Sequence, residues 1–355
     1  MRFTFMLPSD NLTGGTRVVA VYARELVALG HQVLVVTCAS NAPGWRERLR
    51  SLSGAAAAAP PGHIALSGVP HKVMARPGPI GPDDVPDADV IVATWWETAV
   101  WMDAMPAAKG LKVHLIQGYE VWFGAKYVPK VHAALRLPNV KIAISSDLKR
   151  SIEAELGPLG IGLVPNAVDL QQFNAPARAR NAVPRVGFIY ALASIKGADI
   201  CAQACVLARR RLPGLEVLAF GTDKPSGALP LPEGTAFFHC PAQDTLRAHY
   251  SACDAWLFGS RLDSFGLPIL EAMACRTPVI AVPIGAAPEL IAGGGGVLVD
   301  KESPQQMADA IVNLCNQDEA AWQDQSALAH ETAHGYSWRD ATQRLLAVIE
   351  RAVLH

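Results

Sequence analysis

Unbroken apolar runs of strand length alternate with longer helical stretches from the first residues of this chain, and the alternation restarts near its middle. Stretches 2–7, 32–37, 90–94, 112–117 and 141–145 read as buried strands. Between the first two, 16–29 is amphipathic and stops at Gly30, a normal helix end. Beta-alpha alternation with continuously apolar strands means a parallel sheet covered on both faces. After residue 165 come further strands at 186–190, 216–220, 235–240, 255–258, 278–282 and 296–299, again with helices between them. The fold class expected is α/β, with two doubly wound, Rossmann-like domains in tandem. Ligands in such sheets bind beyond the carboxyl ends of the strands, so two facing sheets would enclose an inter-domain cleft.

At ~150 residues per domain, 355 residues accommodate two domains. The expected boundaries are 1–165 for an N-terminal Rossmann-like domain, 166–185 for a polar, proline-punctuated linker, and 186–335 for a second Rossmann-like domain. A last helix, 336–355, is free to pack on either half, including back on the first. Segment 53–69, with its alanine run and Pro60-Pro61, reads as a low-complexity surface loop. Charge is nearly balanced at −1, which supplies no global field for nucleic acid. Residues 1–165 carry +3 and the remainder −4. Seven cysteines form no CxxC pair, favouring reduced thiols in a cytoplasm over a disulfide frame or zinc site. No run approaches the ~18–20 apolar residues of a membrane span, and the opening MRFTFMLP is too short for a signal peptide.

The most informative stretch is Asp263-Ser264-Phe265-Gly266-Leu267-Pro-Ile-Leu-Glu271, continuing Ala-Met-Ala-Cys-Arg-Thr-Pro-Val-Ile-Ala. It follows the strand AWLF and opens a helix whose first turn tolerates Pro268, because the missing N–H costs nothing there. Free amides around Phe265 to Leu267 can receive an anion. Asp263 in the loop and Glu271 in the helix can point at one ligand. On the residues alone, the same pattern also reads as a cap plus an acid favourably near a helix N-terminus.

This segment resembles the signature of the retaining GT-B glycosyltransferases that use nucleotide sugars, the large family-four group. Further similar pieces occur in order: Gly14-Gly15 after the first strand, Pro165 to Asp169, Lys196-Gly197, Tyr250 to Asp254, Gly285 to Glu289, and Tyr336-Ser-Trp338. The resemblance implies that Glu271 binds the nucleotide ribose. It also implies that Asp263, Ser264 and the amides of Phe265, Gly266 and Leu267 hold the donor sugar, and that Lys196 neutralises the leaving diphosphate. The base would lie near 239–243, including Pro241. A lysine suits that task independently, because breaking a glycosyl-phosphate bond develops negative charge. At ~4 Å and an effective dielectric of ~20, one cation contributes about 4 kcal/mol. A helix beginning at Gly14-Gly15 would add its positive end, so that lysine and helix together can substitute for a metal. No cofactor and no metal are expected.

Three departures stand out. Asp263 replaces the usual glutamate. Tyr190 stands where an arginine is common, with Arg261 or Arg17 as substitutes. Gln117 stands where a histidine is frequent, in an I-Q-x-Y-E pattern (116–120) similar to a rhamnosyltransferase-like branch. Gln117 and Glu120 read either as acceptor-side groups or as strand-end residues with local hydrogen bonds. Trp95 and Trp96, after a strand end, either stack on an acceptor sugar or pack. Asp87-Ala-Asp89 imitates a D-x-D metal motif, but it precedes its strand, at the wrong end of the sheet for a ligand. Gly293 to Gly296 lacks the lysine and hydroxyl of a phosphate loop. Basic residues at 45–50, with Lys126, Lys130, Arg136, Lys141, Lys149 and Arg150, make either a solvated face or a peripheral contact with anionic lipid.

The expectation is therefore a cytoplasmic, retaining, metal-independent glycosyltransferase. It would move a sugar from a nucleotide-sugar donor to a glycan, lipid-linked or small-molecule acceptor. Its rivals are a nucleotide-sugar epimerase on the same plan and a non-catalytic nucleotide-sugar-binding protein.

Overall fold

The structure is a computed structural model and describes residues 1–39 and 61–354. The basic stretch 45–50 and the first part of the 53–69 loop lie outside the described residues. The chain divides into two compact units. Unit 1 comprises Met1–Ile144, Leu148–Val164 and everything from Trp338 onward; unit 2 comprises Ser145–Asp147 and Pro165–Ser337.

Unit 1 is built on strands β1 (Arg2–Leu7), β2 (Gln32–Thr37), β3 (His71–Val73), β4 (Val90–Ala93), β5 (Leu111–Ile116), β6 (Val140–Ala143) and β7 (Gly162–Leu163). Their spatial order is β3-β2-β1-β4-β5-β6-β7. Every pairing is parallel, with Phe3 beside both Val33 and Val90. The β-branched and aromatic side chains of β1, β2 and β4 are almost wholly buried, as strands covered by helices on both faces must be. Unit 2 repeats the plan with β8 (Arg185–Ile189), β9 (Glu216–Gly221), β10 (Ala236–His239), β11 (Ala255–Phe258), β12 (Val279–Ala281) and β13 (Gly296–Leu298). Their order is β10-β9-β8-β11-β12-β13, again all parallel. Its core gathers Phe188, Leu257, Ile280, Ile311 and Trp322.

Three features differ from the sequence reading. Within 53–69, His63–Ser67 is helical, because the carboxylate of Asp10 accepts from the amides of Ile64 and Ala65 (3.0 Å each) and caps that turn from a distant loop. The short edge strands His71–Val73 and Gly162–Leu163 carry too few residues to show a period. The polar segment 166–185 is bound within unit 2. Asp254 is fully buried, and its carboxylate accepts from the amide and side chain of Asn181 (3.0 Å each), from Arg178 (3.2 Å) and from the Arg185 amide (2.9 Å). A buried carboxylate needs such partners, and the polar segment supplies them.

The final helix, Trp338–Val353, packs in unit 1 against the helix Gly14–Ala28, with Trp338 edge-on to Tyr22 at 5.2 Å. All seven cysteines are free thiols; six are buried and Cys240 is exposed.

Candidate active site

In a doubly wound sheet the connections diverge from two adjacent central strands, leaving a crevice beyond their carboxyl ends. In unit 2 those strands are β8 and β11. The loop after β8 passes Tyr190 and makes a single 3-10 turn, Ser194–Lys196. The loop after β11 runs through Gly259 to Asp263. Backbone meets backbone where the two loops touch: Arg261 N donates to Ile195 O at 2.8 Å. Gly197 has φ +62°, and a Cβ there would lie 1.8 Å from the Gly259 carbonyl oxygen. Only glycine permits that approach. The consequence is a direct contact between Lys196 Nζ and Asp263 Oδ2 at 2.9 Å. Their side chains are 43% and 16% exposed. A pair this open to water is worth at most about 1 kcal/mol, so a multiply charged ligand can draw the ammonium away at little cost.

The other oxygen of Asp263 accepts from the amides of Phe265 (3.1 Å) and Gly266 (2.7 Å), immediately before the helix Leu267–Ala274. The helix start thus holds an anion from its own chain. Phe265 and Gly266 are buried, while Ser264 and Leu267 are half-buried. Behind this loop, Gly285 (φ +59°) lies so close that a Cβ would stand 3.0 Å from Asp263 O and Phe265 N, and Ala286 N donates to Phe265 O at 2.9 Å. Glu271 is buried within the helix, and Tyr250 donates its hydroxyl to Glu271 Oε2 at 2.7 Å. That tyrosine lies in a stretch matched by its spacing, but nothing in the sequence identified it as the partner of Glu271. Pro241 is half-buried beyond the end of β10, after Cys240 at φ +47°.

Tyr190, which stands in place of the arginine, brings no charge, and Arg261, one of its two expected substitutes, is engaged by other residues. Tyr190 is buried, donating its hydroxyl to Leu229 O (2.7 Å) and accepting from the Ser226 amide (3.1 Å). Arg261 is bidentate to Asp199 (2.8 and 2.7 Å) and also binds Glu302 (2.9 Å) and Ser194 O (2.6 Å). Those carboxylates hold its guanidinium fork, so Lys196 is the more available cation of the two.

In unit 1, Gly14 and Gly15 open the helix after β1, and a Cβ on Gly15 would lie 3.5 Å from Gln117 Oε1. The structure therefore brings Gly15 and Gln117 together beyond the ends of β1 and β5. Gln117 Oε1 and both carboxyl oxygens of Glu120 are buried without a side-chain partner. Burial pushes the Glu120 carboxyl up to about 8. Trp95 and Trp96 are half-buried; Trp95 meets Phe123 edge-on at 5.4 Å and Trp96 lies 6.4 Å from Tyr127. Asp87 pairs with Lys109 (3.0 Å) and Asp89 with Arg2 (2.7 Å) at the opposite end of the sheet. Among the described residues no group of three or more His, Cys, Asp or Glu side chains is placed to hold a metal.

Residues 183–317 match the family described as Glycosyl transferases group 1. Among curated proteins, the D-inositol 3-phosphate glycosyltransferase of Mycobacteroides abscessus is 31% identical over 217 residues, covering 55% of this chain and 47% of that protein. The matched region thus spans about half the length of such relatives. Among solved structures, sucrose-phosphate synthase from Thermosynechococcus elongatus aligns with a TM-score of 0.73 at 16% identity, covering 100% of this chain and 99% of that one. HepE from Anabaena, in complex with UDP and glucose, aligns with a TM-score of 0.76 at 20% identity, covering 99% of each chain. Residues 183–317 are thus similar to the Glycosyl transferases group 1 family, and the two doubly wound sheets are those of the fold these solved structures share, the GT-B fold.

Proposed function

We propose that this chain is a retaining, metal-independent glycosyltransferase of the cytoplasm, binding a nucleotide-diphosphate sugar on unit 2 and a saccharide, lipid-linked or small-molecule acceptor on unit 1. The observation that carries this reading is the Lys196–Asp263 contact at the β8/β11 switch point, inside the matched region. As the bond from the sugar's anomeric carbon to the diphosphate breaks, the electron pair stays on the phosphate oxygen. Lys196, released from Asp263, stabilises that charge. Asp263 and the loop amides orient the sugar, and Glu271, held by Tyr250, receives the ribose hydroxyls. Fixed donors aimed at developing charge cost no reorganisation when the bond breaks. Trp95, Trp96, Gln117 and Glu120 are the acceptor-side groups.

The first experiment is a thermal-shift screen of the full chain against UDP, GDP, dTDP and ADP. The corresponding sugars are then supplied with an acceptor panel, and the anomeric configuration of the product is read by NMR. Transfer with retention, unaffected by chelator, is the expected outcome. Loss of activity on chelation, restored by Mg²⁺ or Mn²⁺, would refute metal independence. Tyr190 and the engaged Arg261 favour one second reading, a nucleotide-sugar-binding protein without transfer. Donor binding with neither transfer nor hydrolysis across the panel would establish it instead.

A further inference from the structure

Arg261, just after β11, reaches back to the turn that carries Lys196. Its backbone N–H donates to Ile195 O at 2.8 Å. Its guanidinium grips the chain on both flanks of the lysine. Nη1 donates to Ser194 O at 2.6 Å and to Asp199 Oδ1 at 2.8 Å, and Nη2 donates to Asp199 Oδ2 at 2.7 Å. Asp199 stands in the first turn of the helix Ala198–Arg209, so the chain is held before and after Lys196. From a third loop, after β13, Glu302 Oε2 accepts from Nη2 at 2.9 Å, and its Oε1 lies 2.7 Å from Nε. Glu302 has φ +56°, a left-handed conformation that costs a glutamate free energy and persists only where its surroundings enforce it.

Two roles for this arginine are distinguishable. The four N–H groups of Nη1 and Nη2 all have protein acceptors, so these nitrogens offer no open fork to a phosphate. One arginine with two carboxylates also carries a net negative charge, which repels a diphosphate. What the guanidinium fixes instead is the backbone around Lys196, and a planar fork suits a carbonyl plus a carboxylate as a lysine's point charge does not. Among the described residues the Lys196 ammonium has only its exposed contact with Asp263, so the turn decides where it can reach. We propose that Arg261 is a positioning residue: clamped by Asp199 and Glu302, it fixes the Ser194–Lys196 turn and so aims Lys196 at the bond that breaks. Resting on the glycosyl-transfer reading, this role is exerted through Lys196 alone.

The test is a double-mutant cycle on the full chain with Arg261→Ala and Lys196→Ala, read as turnover and as affinity for the nucleotide selected among UDP, GDP, dTDP and ADP. Arg261→Ala should lower turnover by up to about 10²-fold, the scale of a misplaced catalytic group, and change nucleotide affinity little. In the Lys196→Ala background the same change should cost little further, because the group that Arg261 positions is gone. Losses that multiply overturn the proposal, since a generally loosened unit 2 would add its cost in either background. So does a wild-type rate in Arg261→Ala, or a silent Lys196→Ala, which would leave nothing to aim. Asp199→Asn/Glu302→Gln keeps the side-chain shapes and the guanidinium, and it enters the same cycle if Arg261→Ala loses the wild-type circular dichroism. A tighter nucleotide complex in that variant would make Arg261 a phosphate ligand held in reserve and overturn the clamp. Limited acetylation with acetic anhydride, read at Lys196 by mass spectrometry, needs no turnover. Releasing the turn should speed it by up to about fivefold, the weight of an exposed ion pair. Faster acetylation of the variants in a chain that transfers no sugar would leave the clamp standing and sink the glycosyl-transfer reading. Acetylation unchanged in both variants would sink the clamp.

Discussion

Lys196 has one neighbour of opposite charge and nearly half its side chain in water, which makes its removal informative. Lys196→Ala should lower turnover by roughly 10²–10³, the scale of losing one donor aimed at developing charge, while donor affinity falls less. Steady-state kinetics with a saturating donor check this, and a near-wild-type rate would remove Lys196 from the chemistry. Glu120 makes the opposite kind of test. Its carboxyl is 1% exposed and titrates near 8 rather than 4.5, so the folded state holds a proton that the unfolded state has released between those values. Stability therefore falls as pH rises through that window, by up to about 5 kcal/mol. Glu120→Gln, neutral at every pH, should raise the unit 1 melting transition near pH 8 and change it little near pH 5. His114 is buried and lowered to about 3, so its contribution is lost as pH falls below 6.5, and it cancels in the comparison of variant with wild type. At this scale the acids and the lysine were legible, because they sit in a motif with fixed spacing. Their pairing was not: Lys196 and Asp263 are 67 positions apart, and only the Gly197–Gly259 approach joins them. The loss of Arg261 to Asp199 and Glu302 was equally invisible, since no local pattern announces a partner from another loop.

Elements were legible in proportion to their apolar length. The strands Arg2–Leu7, Gln32–Thr37 and Ala255–Phe258 match the sequence reading to the residue, because each is a run buried on both faces. His71–Val73 and Gly162–Leu163 were missed because two or three half-exposed edge residues carry no period. His63–Ser67 was missed because its cap, Asp10, lies on a different loop. The C-terminal helix was ambiguous for another reason: its apolar stripe shows that it packs, not on what. Trp338 settles that through its contact with Tyr22. Trp338→Ala should therefore destabilise unit 1 by about 3–5 kcal/mol while leaving unit 2 unchanged. Denaturant unfolding followed by probes in each unit tests this. Equal loss in both units, or loss confined to unit 2, would contradict the assignment of the helix.

At the scale of the molecule, each unit has its own sheet and its own core, and after lending Ser145–Asp147 to unit 2 the chain leaves unit 1 at Val164 and returns to it at Trp338. A donor confined to unit 2 can stabilise only what it binds. At 100 times its dissociation constant, a nucleotide adds about 2.7 kcal/mol to the state that holds it. Calorimetry of the full chain should therefore show a nucleotide that moves the transition of unit 2 upward and leaves that of unit 1 in place, with Trp338→Ala identifying which transition is which. Glu271→Ala should abolish most of that shift without erasing the transition. If the nucleotide moved the unit 1 transition alone, the carboxylate, the lysine and the helix start between Asp263 and Leu267 would be structural features of unit 2, and the donor site would have to be sought among Gly14, Gly15 and Gln117.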